Sequence, residues 1–142
     1  MKGVTFVIPG EPKGKKRPRS AFQGGRIHTY DPAENGANET EIAMIFRQAV
    51  RDAGLDWEPC KYAKVQITAC YGLPKGKSKA WRADALAGKL FPGRKPDLDN
   101  VAKLVLDALN GIAWQDDAGV ISLQLWKYYE ETSRVIVTVM EA

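Results

Sequence analysis

The sequence predicts an α/β (α+β) protein, a single small domain in which two main helices pack on a mixed β-sheet. Its 142 residues fit one domain, and 44% apolar residues are enough for a sizeable core. Segments with the two-residue period of strands alternate with segments of helical period. The order strand, helix, strand, helix, hairpin is typical of such folds. We therefore predict one domain over residues 1–142.

Local patterns in the sequence predict the strands and the first loop. Residues 3–8 alternate and are rich in β-branched types, which indicates a strand, and a Pro- and Gly-rich basic loop follows over residues 9–26. Within that loop, Gly24-Gly25 indicates a short hairpin over 22–30. Residues 64–71 read as a further strand. Two last strands, at 120–129 and 134–140, are joined by a turn.

Three segments have helical character. Apolar residues recur at helical spacing over 39–53, where Asn38 and Glu41 suit a capping box and Gly54 a C-terminal stop. A short helix started by Ser78 is predicted at 78–89. The best-marked helix spans 100–110, with its apolar residues on one face.

Positive charge is concentrated in two segments, although the net charge is only +4. The basic loop, residues 9–26, and a basic insertion, residues 74–95, hold 13 of the 21 basic residues, which leaves the rest of the chain acidic. Such concentration suits phosphate binding, and a solvated surface is the alternative. The candidate DNA-binding residues are Lys13, Lys15, Lys16, Arg17, Arg19, Lys75, Lys77, Arg94 and Lys95.

Cysteine and histidine usage argues against zinc chemistry and against a secreted disulfide scaffold. Cys60 and Cys70 belong to no metal-binding motif, and Cys70 is expected to be a buried thiol. The one histidine, His28, makes Ser-His-Asp catalysis improbable. No apolar run is long enough to span a bilayer, and the apolar part of residues 1–10 is shorter than we expect of a secretory signal. We expect a cytoplasmic protein without a membrane partner.

Asp97 and Asp99 open the most informative stretch, residues 96–117. Pro96 disfavours helix before it, so Asp99 is placed to cap the helix that begins at Asn100. In an extended segment, side chains two residues apart point to the same side, so both carboxylates can reach one divalent ion. Carboxylate oxygens are ligands that Mg²⁺ and Mn²⁺ prefer. The alternative is that Asp99 serves only as a cap.

Lys103 lies one helical turn after Asp99, where a cation could neutralise carboxylate charge or contact the phosphate being cut. Asp107 lies one turn further and either pairs with Lys103 or is solvated. Asp116 and Asp117 follow the helix, and a short connection lets one or both complete a three-acid cluster. Such a cluster needs a cation, because close carboxylates raise each other's pKa. A bound metal ion would then activate water or stabilise charge on the phosphate. An ordinary turn is the alternative for the acid pair.

The stretch 94–117 resembles the signature of the RusA family of Holliday junction resolvases. It contains Asp-Leu-Asp-Asn, a Lys four residues after the second Asp, Asp-Ala-Leu on the helix, and Trp-Gln-Asp-Asp after it. The resemblance implies a RusA-like fold and a homodimer that binds four-way DNA junctions and nicks two opposing strands symmetrically with Mg²⁺ or Mn²⁺. It also implies a bacterial or phage-infected cell, since phages and prophages often carry family members. The residues it assigns are Asp97, Asp99 and Asp117 as metal-binding and catalytic, Asp116 as a neighbouring metal candidate, and Lys103 as the catalytic lysine.

The predicted function is a Mg²⁺-dependent endodeoxyribonuclease that resolves branched DNA in recombination and repair. One alternative is a non-catalytic basic DNA-binding module whose acids only cap and fold. A phosphotransferase using the Asp-x-Asp pair is a second alternative, weakened because no glycine-rich phosphate loop is present.

Tryptophan and tyrosine side chains also leave two interpretations open. Trp114 and Trp81 belong either to the core or to a surface that stacks on an exposed base. Trp126, Tyr128 and Tyr129 are expected to pack in the core or at a dimer interface.

Overall fold

Two helices cover one face of a four-stranded sheet in the computed structural model, which describes residues 2–142. The elements are β1 (Gly3–Pro9), β2 (Arg19–Gln23), β3 (Arg26–Tyr30), α1 (Ala33–Asp52), β4 (Ala63–Gly72), α2 (Lys79–Leu86), α3 (Leu98–Leu109), β5 (Val120–Glu130) and β6 (Arg134–Glu141). The sheet order is β1-β6-β4-β5, with β4 parallel to β5 and the other pairs antiparallel. This confirms the predicted α+β class with a mixed sheet. Residue 1 lies outside the described residues, and the domain extent of 1–142 stays a prediction.

The core lies between the sheet and the pair α1 and α3. Alternate residues of β4, such as Val65 and Ile67, are fully buried against these helices, as the two-residue period requires. Phe46 of α1 packs edge-on against Phe6 of β1 and against Trp57, with ring centroids 5.8 and 5.4 Å apart. Helix α1 also packs directly against α3, and this pairing positions the candidate site.

Neither α1 nor α3 packs on the other face of the sheet. Register places Val7, Ile136, Thr68 and Trp126 in one row across β1, β6, β4 and β5 on that face. Trp126 and Tyr128 are 41% and 37% exposed, so the prediction that they pack in the core is wrong for a single chain. The interface alternative for these two residues stays a prediction.

The predicted strands are confirmed to within a residue or two at each end, and the hairpin is longer than predicted. Gly24 and Gly25 form its turn with φ of +59° and +78°, backbone angles that residues with a Cβ rarely adopt. Its strands begin at Arg19, and all ten of their residues are exposed. The start of the short helix at Ser78 is also confirmed, because its hydroxyl accepts a hydrogen bond from Trp81 N. The predicted end at residue 89 is wrong, because α2 ends at Leu86.

The predicted start of the first helix at Glu39 is wrong, because α1 begins at Ala33 directly after Pro32. Pro32 is the N-cap residue, with φ of −56° and ψ of 136°, outside the helical region. The side chain of Asn38 accepts a hydrogen bond from Lys13 Nζ at 3.4 Å and caps nothing. The helix therefore extends six residues beyond the start that local capping signals indicated.

The start of α3 also differs from the prediction. Asp97, and not Asp99, occupies the N-cap position, and its backbone oxygen accepts the first helical hydrogen bonds while its carboxylate caps nothing. Asp99 lies in the first helical turn, so the argument from an extended pair of aspartates does not hold. Negative charge in a first turn is favourable because it faces the positive end of the helix dipole.

Several smaller expectations concern buried residues. Cys60 and Cys70 are both buried and free, as expected for Cys70. Trp114 is fully buried, which confirms its core interpretation. Trp81 is half-buried, and its ring packs edge-on against Tyr129 at 5.3 Å. Over residues 2–142, no helix combines the length and the apolar character that crossing a membrane requires.

Candidate nucleic-acid interface and aspartate site

One exposed face of α3 carries three of the residues that the sequence singled out. Asp99, Lys103 and Asp107 are spaced four residues apart, so they lie one above another on the helix. All three are exposed, whereas Val101, Leu104 and their neighbours on the opposite face are buried. The burial pattern therefore confirms the predicted faces of this helix and places Lys103 beside Asp99.

Asp97 lies in a segment that several side chains hold in place. Tyr71 donates a hydrogen bond to Pro96 O at 3.1 Å, and Lys127 Nζ donates to Arg94 O at 2.7 Å. Lys95 Nζ contacts the Asp97 carboxylate at 2.9 Å. This hydrogen bond and the charge of Lys95, with weaker contributions from Lys127 and Arg17, hold the pKa of Asp97 below its usual value. Asp97 is thus an ionised, exposed carboxylate among cations.

Asp117 lies near the opposite end of α3. Trp114 Nε1 donates to Asp117 Oδ1 at 2.7 Å, and Asp117 N donates to the side chain of Asn110 at 3.1 Å. Partial burial raises the pKa of Asp117, and the charges of Asp107 and Asp116 act in the same direction, while the bond from Trp114 opposes them. The buried tryptophan therefore orients this carboxylate.

The three predicted metal-binding aspartates do not converge within one chain. Asp97 and Asp107 are separated by ten residues of helix, about 15 Å along the axis at a rise of 1.5 Å per residue, and Asp107 is the residue whose charge reaches Asp117. Among residues 2–142, no group of three or more acidic, histidine or cysteine side chains could hold a metal ion. Mg²⁺ is often bound by one or two carboxylates, with water and substrate phosphate completing its shell. Asp97 and Asp99 at the start of α3 fit that smaller donor set.

The basic loop packs directly against the aspartate segment. Lys15 N donates to Asn100 O at 2.8 Å, which joins the loop to the first turn of α3. A Cβ added to Gly14 would lie 2.8 Å from Pro96 Cβ and 3.1 Å from Asn100 Cβ, so the two segments approach closely. An open cleft of about 700 Å³ runs between this loop, the start of α1 and Asp97. Cations and carboxylates thus border one cleft.

The predicted DNA-binding residues fall into three groups in the structure. Lys13, Lys16, Arg17 and Arg19 are exposed on or beside the basic loop, whereas the Lys15 side chain is turned inward. Arg94 and Lys95, at the end of the basic insertion, adjoin Asp97. Lys75 and Lys77 lie in the loop before α2, where Lys77 Nζ stands 4.9 Å from the Trp81 ring centre.

Sequence reasoning missed Asn35, which is the one fully buried polar side chain among the described residues. It accepts a hydrogen bond from Lys16 N and donates to Lys16 O, both at 2.9 Å, and it donates to Asp31 Oδ1 at 3.0 Å. One signal was available: Asn35 precedes Ile42 by seven residues, two helical turns, and so continues the buried stripe of α1.

Comparison with known proteins identifies the family of this chain. The family model described as Endodeoxyribonuclease RusA matches residues 9–140, nearly the whole chain. A protein of Bacillus subtilis (strain 168) named Uncharacterized protein YqaN is similar, with 32% identity over 141 residues that cover 99% of this chain and 98% of that protein. An α+β domain that joins a basic loop to helix-borne aspartates is suited to phosphodiester chemistry. The chain belongs to the RusA endodeoxyribonuclease family.

Proposed function

We propose that this protein is a metal-dependent endonuclease that resolves four-way DNA junctions by paired, symmetric nicks during recombination and repair. The observation that carries the proposal is the docking of the basic loop on the aspartate segment, through Lys15 N and Asn100 O at 2.8 Å. Phosphates bound by the loop would lie beside Asp97 and Asp99. Membership of the RusA family supports the same reaction class.

The roles of individual residues follow from their placement. Asp97 and Asp99 would hold Mg²⁺ or Mn²⁺, with Asp117 and its neighbour Asp116 as the further carboxylates that the family signature assigns. When bound, the ion would supply stabilisation of charge on the phosphate and a water of lowered pKa. Lys103, one turn from Asp99, would neutralise charge developing on the phosphate oxygens.

We propose a homodimer because two opposing strands need two active sites. The sheet face opposite α1 and α3 offers exposed apolar side chains for a second copy, with Val7, Trp126 and Met140 each about two-fifths exposed beside a polar row that includes Gln66 and Gln124. Within one chain, Asp97 lies at the start of α3 and Asp117 lies near its end. Contact between two chains would bring carboxylates of different chains together. We further propose action in the cytoplasm of a bacterial or phage-infected cell, without a membrane partner.

The test is cleavage of a labelled synthetic four-way junction beside a linear duplex with the same arms, in Mg²⁺, in Mn²⁺ and in EDTA. The proposal expects paired, metal-dependent nicks confined to the junction. Cleavage of every substrate would indicate a less selective nuclease, and binding without cleavage in either metal would favour the non-catalytic DNA-binding module.

Asp99→Asn is the variant that separates catalysis from binding. Its amide keeps the shape of the side chain but loses the charge that would hold a metal ion, so cutting should fall by a factor of about 100 or more. Junction binding should be retained or improved, because one charge that repels phosphate is gone. Cutting at the wild-type rate by this variant would remove Asp99 from the proposed site.

A further inference from the structure

The ammonium group of Lys15 lies among three carboxylates that come from different parts of the fold. Lys15 Nζ is 3.0 Å from Asp107 on α3 and 3.8 Å from Asp31 before α1, and it also contacts Glu39 on α1. Only 21% of its side chain is exposed. Partial burial lowers the pKa of Lys15, but hydrogen bonds to Glu39 and Asp107 outweigh it and raise the pKa above its usual value. This lysine stays charged and is held inside the protein.

The backbone around Lys15 is held on both sides as well. Lys15 N bonds Asn100 O, and the next residue, Lys16, has its N–H and its carbonyl both bonded to the buried side chain of Asn35. Gly14 provides the close approach to Pro96. The loop is therefore attached to α1 and α3 through its backbone and through one inward side chain.

Outward neighbours of Lys15 differ from it in this respect. Lys16 and Arg17 are exposed, and Lys13 makes only a long contact of 3.4 Å with Asn38. Their charges are available to phosphate. If Lys15 moved outward to bind a phosphate, three carboxylates would lose the cation that neutralises them. This movement is unfavourable because close like charges repel one another.

We propose that Lys15 is a positioning residue, whose ion pairs with Asp31, Glu39 and Asp107 hold the phosphate-binding side chains of the basic loop in register with Asp97 and Asp99. It does not itself bind DNA, which replaces the role that charge alone suggested for it. The first part of this inference, that Lys15 positions the loop for cutting, rests on the proposed nuclease function. Its second part, that the charge of Lys15 is unavailable to DNA, needs DNA binding only.

The experiment compares Lys15→Met with Lys13→Met, a matched loss of one loop lysine two residues away. Junction affinity is measured against salt concentration, and single-turnover cutting is measured at saturating protein and Mg²⁺. Each phosphate contact contributes about 0.9 to the slope of log affinity against log salt. Lys13→Met should reduce the slope by about that amount, whereas Lys15→Met should leave the slope as in the wild type.

Cutting should show the opposite order. Lys15→Met should slow the saturated rate by about 10- to 100-fold, because displacement of a reacting group by about 1 Å can cost that much. Lys13→Met should stay faster than Lys15→Met under these conditions. Lys15→Arg, which keeps the charge, should recover part of the lost rate. Glu39→Gln should slow cutting in the same direction while all loop lysines remain, and it serves if Lys15→Met does not fold.

Two results would overturn the inference. One is a salt slope for Lys15→Met that falls as it does for Lys13→Met, and the other is wild-type cutting by both Lys15→Met and Glu39→Gln. If the wild-type protein binds junctions without cutting them, the proposed function fails, while the comparison of salt slopes still decides whether Lys15 faces inward.

Discussion

Replacing Asn35 by alanine should release the basic loop from α1. The change removes three hydrogen bonds of 2.9 to 3.0 Å and leaves the N–H and the carbonyl of Lys16 without partners. A typical hydrogen bond contributes about 1 kcal/mol, and an unsatisfied buried group costs a similar amount or more. Because Asp31 is half exposed and regains water, we expect a total loss of about 3 kcal/mol. For a protein of this size that corresponds to a Tm lower by about 10 °C.

Urea unfolding followed by circular dichroism measures this free energy. Asn38→Ala is the matched control, since Asn38 lies on the same helix and accepts only the long bond from Lys13, and we expect it to cost less than about 0.5 kcal/mol. Hydrogen exchange should show the loss of protection at Lys16 N in the Asn35 variant. A cost below about 1 kcal/mol for Asn35→Ala, or unchanged protection at Lys16 N, would refute the proposed attachment of the loop.

Two further predictions test the packing of the core and of the turn after α3. A Cβ on Gly119 would lie 2.1 Å from the backbone oxygen of Lys61, so Gly119→Ala should lower the free energy of unfolding by about 2–3 kcal/mol. Gly36 faces open space on α1, so Gly36→Ala should raise that free energy by up to about 1 kcal/mol in the same urea assay. Equal effects of the two substitutions would contradict the packing around Gly119. Burial raises the pKa of the Cys70 thiol to about 11, with the charge of Glu130 adding to it, and burial also raises that of Cys60. Neither thiol should therefore react with a disulfide reagent at pH 8 until urea unfolds the chain, and rapid labelling of Cys70 in a Cys60→Ser variant would show that this strand is open.

The elements could be predicted where the signal lies in neighbouring residues. The residue types at 64–71 indicated β4, and the turn at Gly24-Gly25 indicated the hairpin, because both depend on local backbone preferences. The start of α1 could not be predicted in this way. Residues 33–38 contain a glycine and two asparagines, which disfavour helix, and the hydrogen bonds of Asn35 to the backbone of Lys16 in the basic loop outweigh that preference.

The candidate site divides along the same line. The spacing of Asp99, Lys103 and Asp107 placed them on one exposed face of a helix, and the structure agrees. The sequence suggested Lys103 or solvent as the partner of Asp107, but the structure pairs Asp107 with Lys15, 92 positions earlier in the chain. A cation that is so distant in sequence comes close to Asp107 only because the folded basic loop packs against α1 and α3.

Sequence alone determined the class of this protein. The Asp-Leu-Asp-Asn and Trp-Gln-Asp-Asp pattern indicated the RusA family, and the clustered lysines and arginines indicated a phosphate-binding protein, because residue types and short spacings carry that information. Only the tertiary structure decided which charges face solvent and which face one another. It turned Lys15 inward, assigned Asn35 to the loop backbone and separated Asp117 from Asp97 along α3. Ion pairing and burial depend on distances through space, and residues far apart in the chain set those distances only when the chain folds.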